Sequence, residues 1–71
     1  MKNFYVVSYS DIPGWKWISG TAFLEAPNKA KAEKKFWKHF DKKTTTIFEF
    51  RRERKSSILY EWYKEGRNAI H

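Results

Sequence analysis

Cysteine is absent from the 71 residues, so neither a disulfide nor a thiolate metal site can staple the chain together. Three glycines and two prolines are too few for a flexible linker or a low-complexity tail, which places the chain among ordered globular domains. Apolar runs are only a few residues long, against the roughly 20 that span a bilayer, and the N-terminus lacks the apolar core of a signal peptide. The expectation is a soluble, cytoplasmic protein with no membrane partner. Acidic residues are scarce as well: eight Asp and Glu stand against fifteen Lys and Arg, a net charge of +7. That balance argues against a mimic of DNA and raises attraction to nucleic acid and other polyanions.

What the chain does have is rings and lysines. Phe, Trp and Tyr make up 20% of it, and seven lysines crowd the stretch Lys29 to Lys43. A chain this short has room for one domain, because it hides only about 60% of the surface its unfolded form exposes. Large rings compensate, each removing roughly 150 to 250 Å² from water when buried.

Asn3 to Tyr9 is β-branched and aromatic, which predicts a first strand. Asp11, Pro13 and Gly14 supply turn chemistry. A second strand is expected over Trp15 to Ala26, with Trp15, Trp17, Thr21 and Phe23 on one face and Ile18, Gly20, Ala22, Leu24 and Ala26 on the other. The smaller set suits a packed helix. Pro27 and the capping residue Asn28 open that helix, which should run to about Asp41. Ala30, Phe36, Trp37 and Phe40 share its apolar arc with Ala32 at the margin, while Lys31, Lys34, Lys35, Lys38 and Lys42 occupy the other side. Glu33 falls inside the apolar arc, where pairing with Lys29 would satisfy it.

Thr44 to Arg54 reads as a third strand, with Thr46, Phe48 and Phe50 alternating against Ile47, Glu49 and Arg51. Ile58 to Lys64 reads as a fourth, and Arg67 to His71 as a frayed tail. The predicted class is α+β: a four-stranded, mostly antiparallel sheet in the order β-β-α-β-β, with one helix on one face. One helix leaves the other sheet face bare. Trp15, Trp17 and Phe23 would then form an exposed platform able to stack on unpaired bases, or else fill the core or a homodimer seam.

The lysine arc spans about 16 Å at 1.5 Å per residue, enough to follow several phosphates. The pairs Lys31/Lys35, Lys34/Lys38 and Lys38/Lys42 repel at helical spacing, a cost that a solvated face selected only for stability would avoid. Arg51, Arg52, Arg54 and Lys55 form a second cluster whose forks suit phosphate and carboxylate alike. His39 and His71 are the only histidines, and His39 and Asp41 do not face each other on a helix; the Arg, His, Tyr and Glu that a metal-independent ribonuclease could use are present in most basic domains, so neither catalytic nor metal-binding residues are assigned and no cofactor is expected.

The stretch Thr21 to Phe50 carries Phe23-Leu24-Glu25-Ala26, the cap Asn28, the helix residues Ala32, Phe36 and Phe40, and Ile47-Phe48-Glu49-Phe50. This strand, helix, strand pattern resembles small phage-encoded proteins that disable host machinery, including some anti-CRISPR and polymerase-inhibiting proteins. For a basic chain the resemblance implies gripping nucleic acid, or blocking the partner of a nucleic-acid channel, and it assigns no functional residue. The leading expectation is a non-enzymatic protein that binds nucleic acid or a nucleoprotein complex. An inhibitor of a host protein is the alternative, and a small metal-independent ribonuclease a third.

Overall fold

In the computed structural model, which describes residues 1–71, the aromatic and β-branched run at the N-terminus forms the central strand. This strand, β1 (Asn3–Ser10), pairs antiparallel with β2 (Gly20–Ala26) along one edge and with β3 (Thr46–Glu53) along the other. Phe4, Tyr5, Val6 and Val7 are all buried, so both of its faces are covered. A two-residue strand, β4 (Ala69–Ile70), adds parallel to β2, giving the order β3-β1-β2-β4. The class is α+β as expected, but the sheet is mixed and each face carries a helix. No helix is long and apolar enough to cross a membrane.

The first helix, α1 (Lys29–Trp37), starts where Asn28 accepts a hydrogen bond from the Lys31 backbone N–H at 2.9 Å. It lies on the face formed by Tyr5, Val7, Ala22, Leu24 and Ala26, and it buries Ala32 and Phe36 there. Ala22, Leu24 and Ala26 are the small set singled out in the sequence. The helix ends at Trp37 rather than near Asp41; Ala30 is exposed, and Ala32, not Ala30, marks the centre of the buried stripe. Phe40, beyond the helix, stacks on Phe36 with centroids 4.5 Å apart.

Ile58 to Lys64 is a helix, α2, and not the fourth strand. Ser57 caps it by accepting from the Leu59 N–H, and Gly66, at φ +89, ends it. Gly66 N–H donates to the Tyr63 carbonyl and Arg67 N–H to the Trp62 carbonyl, the paired bonds of a Schellman motif. Leu59, Tyr60 and Tyr63 then fall on one side and cover Phe4, Val6 and Phe23. Phe23 is 2% exposed, so the bare aromatic sheet face does not exist.

Two further expectations are corrected. The second strand begins at Gly20, which leaves Trp15, Trp17 and Ile18 in a loop. In β3 the pairing passes from Ser8↔Glu49 to Tyr9↔Ile47, so Phe48 is an extra residue. This bulge breaks the strict alternation and lets Ile47 and Phe50 pack against the same cluster. Gly20 leaves room for the Tyr9 ring: a Cβ there would lie 2.6 Å from the Tyr9 hydroxyl and force that ring to shift.

The tail, expected as frayed, is placed against the sheet through β4. The Phe23 N–H donates to the Asn68 carbonyl at 2.9 Å, and Ile70 sits 6% exposed among Leu24, Phe36 and their neighbours. Replacing Ile70 by Ala should cost about 2 to 5 kcal/mol, the range for truncating a buried aliphatic side chain. Urea unfolding followed by circular dichroism measures this, and a loss under about 0.5 kcal/mol would mean that the tail contributes nothing to the core.

Candidate functional site

Of the fifteen Lys and Arg, only Arg51, Lys55, Lys64 and Arg67 sit within ion-pair distance of a carboxylate. The acids that hold them, Glu25, Glu49, Glu53, Glu61 and Glu65, lie on α2 or on the sheet residues whose register places them on the α2 side. No acid pairs with a lysine of α1. The surplus charge is therefore sorted to one side: α2 and its sheet face are compensated, and α1 is not.

The uncompensated cations line three adjoining open hollows. One, of about 450 Å³, lies between the start of β1 and the end of β3 and holds the unpaired Lys2, Arg52 and Arg54 beside Glu53 and Lys55, which are ion-paired to Arg51 and Glu25. A second, of about 360 Å³, is lined by Lys2, Lys31, Lys34, Lys35 and Lys38 with Glu25. The third, of about 390 Å³, holds Lys34, Lys38, Lys42, Glu33 and Trp37. Lys2 is common to the first two, and Lys34 and Lys38 to the last two, so the hollows form one row. The Lys42 ammonium lies 5.3 Å from the centre of the Trp37 ring, a cation–π contact at the end of that row.

Glu25 joins the two halves. Its carboxylate, 17% exposed, pairs with Lys55 at 3.1 Å and accepts a long hydrogen bond from the Tyr60 hydroxyl at 3.4 Å. Its backbone carbonyl accepts from the Lys35 ammonium at 2.9 Å. Lys35 and Lys55 are thus held by one residue, whereas Lys31, Lys34 and Lys38 extend into water.

The sequence-derived candidates divide accordingly. Lys31, Lys34, Lys35, Lys38 and Lys42 come together with Arg52, Arg54 and Lys55. Arg51 does not join them: it is committed to Glu49 at 3.1 Å and Glu53 at 2.6 Å. The Glu53 hydrogen bond stabilises the charged guanidinium and pushes its pKa up; in return the Arg51 hydrogen bond, aided by the Arg54 backbone N–H, holds the Glu53 carboxyl below its usual range. Phe23 is inside the core, and Trp15 and Trp17 stand apart from the row in the β1–β2 loop.

Because α1 stops at Trp37, Lys38 and Lys42 are not a helical pair, and Lys34 and Lys35 occupy the last turn, where the helix dipole favours cations. Only Lys29 and Lys31 lie at the unfavourable end. No ion pair joins Glu33 to Lys29, whose ammonium instead lies 5.9 Å from the Phe50 ring centre. Lys2, Glu25 and Trp37 were not among the sequence candidates. Antiparallel pairing sets the first residues of β1 beside the last of β2 and β3, and that register is the signal that places Lys2 in the row.

The chain matches no family model, no curated protein and no solved structure.

Two tyrosines make the domain sensitive to alkali. Burial, then the Glu25 carboxylate, raises the pKa of Tyr63; burial, then Asp11, raises that of Tyr9. The folded state holds both protons more tightly than the unfolded chain, whose phenols titrate near about 10. Their contribution is complete below that pH and is lost as pH rises through the raised values. Urea midpoints should therefore fall above pH 10, and fall less steeply in Y9F/Y63F; the same slope in the double variant would place the loss elsewhere.

Proposed function

We propose that the protein binds nucleic acid through its phosphate backbone, in a non-enzymatic manner, along the α1 side. The observation that carries this reading is the row of cations without ion-pair partners from Arg54 and Arg52 through Lys2 to Lys31, Lys34, Lys38 and Lys42, which outnumber the one glutamate lining each hollow. A repeating anion matches a row better than a compact one does, because each phosphate met along it releases condensed counterions. Lysines on flexible stems act as point charges and suit phosphate contact without base readout. Clustering like charges costs stability, and a bound polyanion offsets that cost.

A protein partner is the second reading. Ile58 and Trp62, one turn apart on the outer side of α2, are 60% and 36% exposed, which favours an apolar contact there.

Lys31, Lys34 and Lys38 separate the two, since their side chains make no hydrogen bond or ion pair. K31A/K34A/K38A should keep the circular dichroism spectrum and weaken binding to labelled DNA or RNA at least tenfold. Its salt dependence should fall by about 2 to 3 released ions, at about 0.9 per contact on duplex DNA and 0.7 on a single strand. Fluorescence anisotropy at several salt concentrations gives both quantities, and unchanged affinity would refute the proposal.

A further inference from the structure

The loop between β1 and β2 is built as a presenting device. At its base the Ser19 N–H donates to the Tyr9 carbonyl at 2.9 Å, the Asp11 N–H donates to the Ser19 hydroxyl at 3.1 Å, and that hydroxyl donates to the Asp11 carboxylate at 3.1 Å. Above this clamp Ile12-Pro13-Gly14-Trp15 makes a tight turn, with Pro13 at its second position, Gly14 at φ +77 at its third, and the Trp15 N–H donating to the Ile12 carbonyl at 3.0 Å. Trp15 and Trp17 are 49% and 68% exposed, and neither joins the buried clusters. Ile12 and Ile18 are exposed beside them, and Lys16 lies between the two tryptophans in sequence. So much apolar surface on one short, pinned loop marks a contact surface.

The Tyr9 ring at the loop's base packs on Phe40 with centroids 4.5 Å apart, and Ser10 pairs with Thr46. The loop therefore stands at the end of the sheet where α1 finishes and where the 42–44 turn carries Lys42 and Lys43. Lys42, the last cation of the row, thus lies on the loop's end of the sheet, although the loop itself lines none of the row's hollows.

We infer that the β1–β2 loop is the base-binding end of the same site, and that the ligand is a single-stranded nucleic acid whose phosphates follow α1 while its bases stack on Trp15 and Trp17. This rests on the nucleic-acid reading above. Rings suit unpaired bases of any sequence, and an adjacent row of cations neutralises the backbone. A lipid surface fits less well. Arg52 and Arg54 lie at the opposite end of the sheet, six strand residues or about 20 Å from the loop, well beyond the Debye length of about 8 Å at physiological salt. A bilayer meeting the loop tip would leave them idle, whereas an extended strand reaches both.

The test compares a labelled 20-nucleotide oligothymidylate, the matching oligouridylate and a duplex of equal length, using wild type, W15A/W17A and W15F/W17F. Wild type should prefer a single strand to the duplex. W15A/W17A should lose at least tenfold on the strand and little on the duplex, and W15F/W17F, which keeps the stacking surface, should recover most of the loss. Quenching of wild-type tryptophan fluorescence by the strand should be largely absent in W15F/W17F, which retains Trp37 and Trp62. Equal strand affinity in wild type and a folded W15A/W17A would overturn the inference while leaving the lysine reading intact if K31A/K34A/K38A still binds weakly. No binding of wild type to any of the three would overturn both. A blue shift of the loop tryptophans with phosphatidylglycerol/phosphatidylcholine vesicles, and no response to the strands, would overturn it in favour of a lipid surface.

Discussion

The rest of the fold follows from β1 being buried on both faces. Its four consecutive large side chains, Phe4 to Val7, alternate between the two sides of the sheet, so each side must be closed over by something else. The chain does this with two crossovers on opposite faces, β2–α1–β3 on one and β3–α2–β4 on the other. Both helices are short, nine and seven residues, and would not persist alone in water. They hold because Phe36 and Tyr63 are sunk into the sheet.

Once the two faces are closed, charge can go only to the periphery, and its division between the helices is unequal. On the α2 side nearly every carboxylate has a cation, and Lys55 and Lys64 both lie within 6 Å of the Tyr60 ring centre. On the α1 side the lysines face water, with Glu33 half-buried beneath them. A field with one strongly positive side orients a polyanion before contact and speeds encounter at low salt. The same separation limits how far Glu25 neutralises the row: its carboxylate pairs with Lys55, and only its carbonyl reaches Lys35.

Much of the α1 half was legible in the sequence. β1 announces itself by composition, Asn28 by capping chemistry, and the Ala22, Leu24, Ala26 set by its alternation and small size. The α2 half was not legible, because Ile58 to Tyr63 satisfies two periods at once. Read in twos it sorts Ile58, Tyr60 and Trp62 from Leu59, Glu61 and Tyr63; read in helical steps it gathers Leu59, Tyr60 and Tyr63. Ser57 before the run and Gly66 after it were the deciding marks. Phe23 followed from that one choice, since a strand in place of α2 leaves Phe23 uncovered, whereas the tail was missed because a two-residue strand is too short to show a period. The lysines were visible as a cluster, but their continuity with Arg52 and Arg54 depends on Lys2, whose place comes from strand register rather than from proximity in the chain.

The bulge at Phe48 has a further effect. β3 is an open edge, and a long, flat open edge invites another chain to add to the sheet, the first step towards insoluble aggregates. Here the edge is bent by an extra residue and studded with Glu49, Arg51, Arg52 and Glu53, while the opposite edge, β4, is only two residues long. Neither border offers an incoming strand a straight template. Both borders therefore resist strand addition from another copy of the chain.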